Sequence, residues 1–271
     1  MGKYDQSLKY FHNLLRDGKN EDTARIHNQI GLVHFYKGEL HEALKSFQLS
    51  YDLMMNAESS PRLIDSARPL THIGAVYHRE RLYDKALKFY HKALVIDENF
   101  YGKDYIKTAM SRNNIGIIYY DKEEYERALE HIKYALEIRR ANLPSEHVDI
   151  AGSLNNIRLI YGKMGRFHAA IQCHLESLRI KQKFLPSEHN EIGQSLINLG
   201  NLFRDNNQSE KASHYYSEVS RIKKNTLSTN DNHHPDVEAL MIGHGDQQVS
   251  FSPYALTSKT SSSCGETSVS A

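Results

Sequence analysis

The residues best suited to chemistry in this sequence are its sixteen histidines and two cysteines, because imidazole and thiolate groups bind metals and transfer protons. A metal site on a helix usually places two ligands at i and i+4 on one face. No two of these histidines have that spacing or the i, i+3 spacing, and Cys173 and Cys264 form no Cys-x-x-Cys pair. The sequence therefore predicts no metal site and no cofactor.

Nucleophilic and acid–base catalysis have no better support. The sequence has no Gly-x-Ser-x-Gly elbow in a strand–turn–helix context and no glycine-rich phosphate loop. Carboxylates such as Glu123, Glu124 and Glu126 fall in a polar turn, where water solvates them. The chain is predicted to be non-catalytic.

A column of polar side chains is the best candidate for binding. Its members recur at a spacing of 42 or 43 residues: Gln29, His72, Asn114, Asn156 and Asn198. An asparagine amide carries both donors and an acceptor, so it can pair with a peptide bond at two points. The column predicts contacts with the backbone of an extended peptide. The alternative, suggested by the neighbouring Asn113 and Asn155, is that these amides hydrogen-bond within the protein and order adjacent helices.

Two arginines add a charge preference to this column. Arg25 and Arg68 each lie four residues before it, in the first two copies of the pattern. Their position predicts a modest preference for acidic side chains of a partner at this end of the chain. Ordinary solvated surface charge is the alternative.

A repeat of 42 residues must position these side chains. An alanine lies twelve residues after the same glycine or arginine in every copy: Ala43, Ala86, Ala128, Ala170 and Ala212. In the third copy, apolar spacing predicts a helix A over about 106–121 and, after a polar turn, a helix B from Tyr125. Such hairpins bury their apolar faces only by stacking. The sequence thus predicts an all-α, right-handed α-α superhelix, with helices A along its concave wall.

The repeat also predicts the boundaries of the units. They are an unpaired helix B over 1–15, five hairpins over 21–57, 63–99, 104–142, 146–184 and 188–226, and a tail over 227–271. Because the first unit is a helix B without its helix A, the sequence predicts a truncated chain. The alternative is an atypical terminal repeat in which this helix serves as a cap. Between Val249 and Ala271, eleven of 23 residues are Ser or Thr, which predicts a flexible tail.

Two residues break the pattern. Arg158 occupies the column that holds Gly31, Gly74, Gly116 and Gly200. Its side chain is expected to extend along the groove with an exposed guanidinium, and the alternative is a specific ligand contact. Pro69 falls early in the second helix A, which predicts that this helix starts later than its siblings or bends there.

Composition limits the partners. Lys and Arg number 34 against 33 Asp and Glu, so no broad basic field favours nucleic acid or a membrane surface. The sequence has no apolar run of bilayer length and no signal-peptide core. With two separate cysteines, it predicts a reducing, cytoplasmic setting and a protein or peptide partner.

The repeat resembles the tetratricopeptide repeat in the 42-residue form of kinesin light chains. The resemblance rests on Asn-Asn-Ile at 113–115 and 155–157, Tyr119 and Tyr161, Gly-Arg-Phe at 165–167 and the alanine column. It implies a non-catalytic scaffold that binds a peptide segment of a partner in the concave groove, where many members hold the ligand backbone with asparagine in this column. Two other roles stay open: a cargo adaptor of the kinesin-light-chain type, although heptads are absent, and the repeat portion of a longer enzyme such as a mono-ADP-ribosyltransferase.

Overall fold

The computed structural model describes residues 2–17, 22–56 and 62–229, and the regular elements in these ranges are all α-helices. Along the chain they are α1 Lys3–Asp17, α2 Thr23–Lys37, α3 Leu40–Met55, α4 Leu63–Arg79, α5 Tyr83–Tyr101, α6 Ile106–Asp121, α7 Tyr125–Asn142, α8 Val148–Lys163, α9 Phe167–Phe184, α10 Asn190–Asp205 and α11 Ser209–Thr229. The third helix A, α6, has the bounds that its apolar spacing predicts.

The helices form consecutive hairpins. The helices A are α2, α4, α6, α8 and α10, and each packs most extensively on the helix B that follows it. Each helix B (α3, α5, α7 and α9) then packs on the next helix A, and α1 packs on α2. This confirms the predicted all-α array of stacked hairpins.

Some successive helices A contact each other directly. Among the described elements, α2 contacts α4 and α6 contacts α8 directly, whereas successive helices B do not approach each other to the same extent. Stacked helical repeats present an extended concave surface, which the sequence analysis places along the helices A. The face that the helices A turn away from the helices B is therefore the wall of a groove, called the groove wall below.

Each turn between helix A and helix B has one residue in the left-handed backbone region. These residues occupy one column of the repeat: Gly38, Arg81, Glu123, Gly165 and Asn207. A left-handed residue ends a helix by letting backbone amides reach the last carbonyl groups, as Glu39 and Leu82 do with His34 and Tyr77. The tight turn fixes helix B against helix A, and so fixes which face of helix A remains open.

Small residues set the distance between the two helices of each hairpin. All five residues of the alanine column are buried, Ala43, Ala86, Ala128 and Ala170 completely. Glycines of the neighbouring column lie against a large side chain sixteen residues on: Gly31 against Phe47, Gly74 against Tyr90, Gly116 against Ile132 and Gly200 against Tyr216. Because a small residue faces a large one, the helix axes can come close without leaving a void.

Of the two outcomes expected for Pro69, a late start and a bend, the late start is not what α4 shows. It begins at Leu63, and Pro69 lies buried inside it. Proline removes the N–H that would bond to the carbonyl of Asp65. The preceding turn is held independently, since Arg62 Nε donates to Asp65 Oδ2 at 2.9 Å and Ser66 N donates to Arg62 O at 3.1 Å.

The predicted tail over 227–271 lies almost entirely outside the described residues. Its first three positions belong to α11, which extends to Thr229. Within the described ranges, no helix combines the length and the hydropathy that a membrane crossing requires.

Candidate peptide-binding groove

The predicted polar column lies on the helices A, but its members differ in accessibility. Gln29 on α2 is exposed, and Asn114 on α6 and Asn198 on α10 are half-buried. His72 on α4 and Asn156 on α8 are 5% and 3% exposed. The column is therefore divided between the groove wall and the interior.

His72 and Asn156 are engaged between repeats. His72 Nδ1 lies 2.9 Å from Asn28 Oδ1 of α2, and Asn156 Nδ2 donates to Asn113 Oδ1 of α6 at 3.1 Å. Burial, followed by the charge of Arg68, lowers the pKa of His72 to about 3, so the ring is neutral. The expectation of groove contacts is corrected for these two residues, because the packed interior leaves no room for a peptide there.

Asn114 and Asn198 keep unused hydrogen-bonding groups. Neither amide atom of Asn114 bonds to a described residue, and Asn198 only accepts at Oδ1 from Gln194 Nε2 at 3.2 Å. Gln29 likewise makes no hydrogen bond to the described part of the chain. These three side chains are the members of the column that a peptide could reach.

The residue just before each member of the polar column determines whether the member on the next helix A is hydrogen-bonded between repeats. Asn28 and Asn113 offer a carbonyl oxygen to the next helix A, and the residues opposite them, His72 and Asn156, are buried. Thr71 instead donates its hydroxyl to Ala67 O at 2.9 Å. Asn114, in the next helix A, consequently has no partner there.

In the fourth repeat, the corresponding residue, Asn155, bonds within its own helix, in this case to Arg158. The Oδ1 atom of Asn155 accepts from Arg158 Nε at 3.2 Å, so it is not used by the next helix A. Asn198 stays accessible on that helix. Thus the engagement of each amide depends on the repeat before it.

The two predicted groove arginines have different surroundings. Arg25 Nε pairs with Asp22 Oδ2 at 3.0 Å, and its side chain is 63% exposed. Arg68 is exposed and forms no ion pair with a described residue, although its charge contributes to the lowered pKa of His72. Arg68 is therefore the cation that is better placed to attract an acidic side chain.

Ring and ion-pair contacts that sequence reasoning missed join the C-terminal ends of the helices A. His78 Nε2 of α4 lies 2.5 Å from Asp121 Oδ2 of α6. Arg79 Nη1 donates to Phe35 O at 2.7 Å, with its guanidinium 5.0 Å from the centre of the Phe35 ring. The available signal was a histidine 43 residues before an aspartate, but an alignment at 42 residues does not place the two opposite each other.

Arg158 is buried rather than exposed along the groove. Only 4% of the residue is accessible, and burial lowers the pKa of its guanidinium to about 10. The expectation of an exposed guanidinium is therefore wrong. The position of helix B sixteen residues on is His174 in this repeat, where the other repeats have Phe, Tyr or Ile. Burial, with a smaller contribution from the Arg158 charge, lowers the pKa of His174 to about 3.

Replacing Arg158 with Met is expected to raise the free energy of unfolding by about 1–3 kcal/mol, because it removes a buried charge that has no acidic partner among the described residues. Arg139→Met is the matched control. Arg139 is equally buried, but it donates to Asp149 O at 3.2 Å and to Ser153 Oγ at 2.5 Å, so its loss should destabilise the chain. Urea denaturation of both variants tests the contrast, and equal losses of stability would contradict it.

The described residues contain no group of three or more histidine, cysteine or carboxylate side chains arranged to hold a metal ion. The geometry on the groove wall instead consists of open amides, a cation and buried inter-repeat bonds. Stacked helical repeats commonly bind partners on extended concave surfaces.

Comparison with known proteins identifies the repeat. Sequence profiles of the tetratricopeptide repeat match residues 65–141 and 149–225, and a second profile of the same repeat matches residues 1–57. The chain belongs to the tetratricopeptide repeat family. Proteins of this family are generally protein-interaction scaffolds and typically non-catalytic. No curated protein matches the sequence.

Solved structures share the fold at low sequence identity. BtubC (BKLC) from P. vanneervenii is 19% identical with a TM-score of 0.72, covering 86% of this chain and 93% of its own. Nearly identical TPR-like repeats assigned to a kinesin light chain of Podosopora anserina are 17% identical with a TM-score of 0.64, covering 76% and 98%. The apo form of RapI is 16% identical with a TM-score of 0.55, covering 84% and 100%.

Proposed function

We propose that this protein binds an extended segment of a partner protein along the groove wall. The observation that carries the proposal is the pair of open amides on alternate helices A, α6 and α10. Asn114 and Asn198 present donor and acceptor groups without a complete set of partners in the array, and a peptide backbone offers the complementary pair at every residue. Contacts of this kind bind the main chain and leave the side chains for separate recognition.

The spacing of the amides fits an extended chain. Packed helices lie about 8–10 Å apart, and a strand rises about 3.3 Å per residue, so each repeat corresponds to about three peptide residues. Asn114 and Asn198 lie two repeats apart. They would therefore contact peptide bonds about six residues apart, with the fourth repeat between them.

Charge adds a direction to the proposed complex. Gln29 and the unpaired Arg68 lie toward the first repeats, whereas the cation Arg204 near the other end is paired with Asp205 at 3.1 Å. An acidic side chain in the partner is expected to lie near Arg68, where it meets an uncompensated cation. Arg25 contributes less, because Asp22 already neutralises it.

Asn114→Ala and Asn198→Ala are each expected to weaken peptide affinity about five- to thirtyfold, because each removes one or two net hydrogen bonds of about 1 kcal/mol. Thermal stability should change little, since both side chains lie on the groove wall. Affinity is measured by calorimetry with a peptide selected on the wild-type chain from a random display library.

Asn156→Ala is the matched control for these variants. It removes the same amide from the buried column and leaves Asn113 Oδ1 without a donor, so it should lower the melting temperature. If Asn114→Ala and Asn198→Ala lowered the melting temperature and left affinity intact, the open amides would be structural and the proposed function would be wrong.

A further inference from the structure

The outer faces of α5 and α7 carry opposite charges. Each of these helices B packs on its own helix A and on the next one, which leaves its outer face exposed. On α5 and the turn before it, this face carries exposed cations, here called the basic ridge: Arg81, Lys85, Lys88 and Lys92. On α7 and the turn before it, the same face carries exposed carboxylates, here called the acidic ridge: Glu123, Glu126, Glu130 and Glu137. Steps of one or two helical turns keep each ridge on one side of its helix.

The charges of both ridges are uncompensated within the described part of the chain. No side chain of either ridge forms an ion pair or a hydrogen bond with another described residue. Lys85 lies over the ring of Tyr77, 5.4 Å from its centre, and Lys92 lies over the ring of Phe89 at 5.6 Å. These contacts place the lysines against rings but leave their charges without a counter-ion. Both ridges therefore keep a charge that an opposite charge on a partner can neutralise.

The 42-residue repeat places opposite charges of the two ridges at the same height. Arg81 and Glu123 are the left-handed residues of their turns, and Lys88 and Glu130 each lie two residues after the alanine column. The helices α5 and α7 run in the same direction, because each packs as the second helix of an equivalent hairpin. A two-fold axis between them, parallel to both, therefore sets α5 of one copy against α7 of a second copy without a shift. Arg81 then faces Glu123 of the second copy, Lys88 faces its Glu130, and each pair forms twice.

Two other heights bring like charges together, but one member of each pair is already neutralised. The like-charged pairs are Lys85 with Arg127 and Asp84 with Glu126. Arg127 Nη1 donates to Glu124 Oε2 at 2.7 Å. Asp84 Oδ1 accepts from Lys122 Nζ at 2.7 Å. The uncompensated members, Lys85 and Glu126, are opposite in sign, so the two ridges attract each other overall.

We propose that the outer face of α5 and α7 is a dimer interface, in which the basic ridge of one copy lies against the acidic ridge of a second copy. A second copy fits better than a different acidic partner, because such a partner would match the basic ridge and be repelled by the acidic ridge beside it. The contact is isologous, so it uses both ridges of each copy and closes at two chains. The inference goes beyond the proposed function, since the ridges lie on helices B and the groove wall on helices A.

The size of the surface predicts a weak, reversible dimer. Helices of 19 and 18 residues, α5 and α7, are each about 28 Å long, and the pair is about 20 Å wide. The resulting footprint is about 550 Å² per copy, below the roughly 800 Å² per partner of a standard protein–protein interface. Its charges are exposed and long-range, so salt should screen the association strongly.

The test is sedimentation equilibrium of the full-length chain at about 0.05 M and about 0.5 M sodium chloride, since the Debye length falls severalfold between the two. We expect a monomer–dimer equilibrium at low salt, with a Kd that rises at least about tenfold at high salt. Two charge-reversed proteins are compared with the wild type: Arg81→Glu with Lys88→Glu, and Glu123→Arg with Glu130→Lys. Each exchanges residues that the second and third repeats already use in these columns, and circular dichroism confirms that both are folded.

Each charge-reversed protein alone should be monomeric, with a Kd raised at least about a hundredfold, because like charges then face each other across the axis. An equimolar mixture of the two should recover the dimer, because every ridge of one chain then meets an opposite ridge of the other. The control carries Lys45→Glu on α3 and Arg221→Glu on α11. It changes the net charge as much as the first variant does, at exposed residues outside both ridges that pair within their own helices, and it should dimerise like the wild type.

Several results would overturn the proposed dimer. One is a wild type that stays monomeric at low salt, and another is a charge-reversed protein that still dimerises alone. A mixture that stays monomeric while the wild type dimerises would show that the two ridges do not face each other. Species larger than a dimer would indicate a heterologous contact, which leaves one ridge of each terminal copy open and continues into a chain. None of these results bears on peptide binding in the groove, which is measured separately.

Discussion

Lowering the pH from 6.5 to 4.5 is expected to reduce the free energy of unfolding by roughly 3–5 kcal/mol through two buried histidines alone. His72 and His174 have pKa values lowered to about 3, in both cases mainly by burial. Above pH 6.5 the two side chains are neutral in the folded chain and largely neutral in the unfolded chain. Below it the unfolded chain takes up protons that the folded chain cannot, so stability falls until the pH reaches the folded pKa.

The expected slope follows from proton linkage. Each fully buried histidine contributes up to about 1.4 kcal/mol per pH unit. Two such histidines would therefore remove, on acidification, a large share of the roughly 5–15 kcal/mol free energy of unfolding of a typical domain. Burial also lowers the pKa of His131 to about 4, which acts in the same direction, and raises the pKa of Asp97, which acts in the opposite direction. The contribution of His72 and His174 must therefore be isolated by substitution.

Matched variants isolate the contribution of His72 and His174 to the pH dependence of stability. His72→Asn supplies the residue found at this position in later repeats, and His174→Gln keeps a donor for Ser195 O. Each should flatten the pH dependence of urea denaturation by about 1.4 kcal/mol per pH unit, whereas His168→Gln, at an exposed position of α9, should leave it unchanged. A double variant with the wild-type slope would show that other groups govern acid unfolding.

The hairpin array could be predicted from the sequence because its packing rule is local. The alanine and glycine columns mark the positions where helix A and helix B pack closely, and this packing recurs from copy to copy. Ala128 and Gly116 therefore identify the same contact as Ala43 and Gly31. Period and residue size together are enough to predict such a contact.

The division of the amide column could not be predicted, because it depends on contacts between repeats. The side chain opposite Asn156 is Asn113, 43 residues earlier, and alignment at 42 residues pairs each residue with its copy rather than with its neighbour. Whether an amide is buried then depends on whether the side chain opposite it, in the preceding repeat, already bonds within its own helix. Thr71 bonds to its own helix, and Asn155 is engaged by Arg158.

The burial of Arg158 escaped prediction for a related reason. The glycine column marked it as an exception, and snorkelling was the simplest way to accommodate a long side chain there. On the opposite helix, His174 also departs from its own column, which otherwise holds Phe, Tyr or Ile. Two exceptions in the same repeat, sixteen residues apart, were the signal that the pair should be interpreted together.

Gly116→Ala is expected to destabilise the protein by about 1–3 kcal/mol, although alanine favours a helix over glycine by about 1 kcal/mol. An added Cβ would overlap with Ile132 Cγ1 and come within 3.1 Å of the backbone oxygen of Ala128. The backbone cannot yield, and Ile132 is fully buried and β-branched, so the two helices must move apart.

Other glycines of the chain provide the control for this prediction. A Cβ at Gly152 or Gly193 would meet nothing within 4 Å, so alanine there should be neutral or stabilise by up to about 1 kcal/mol. In an Ile132→Ala background the clash with Cγ1 is gone, so the same Gly116→Ala change should become close to neutral. Urea denaturation of Gly116→Ala, the two glycine controls, Ile132→Ala and the double variant measures both effects. A stabilising Gly116→Ala in the wild-type background would show that the hairpin tolerates a wider helix spacing, and that the glycine column is not what sets it.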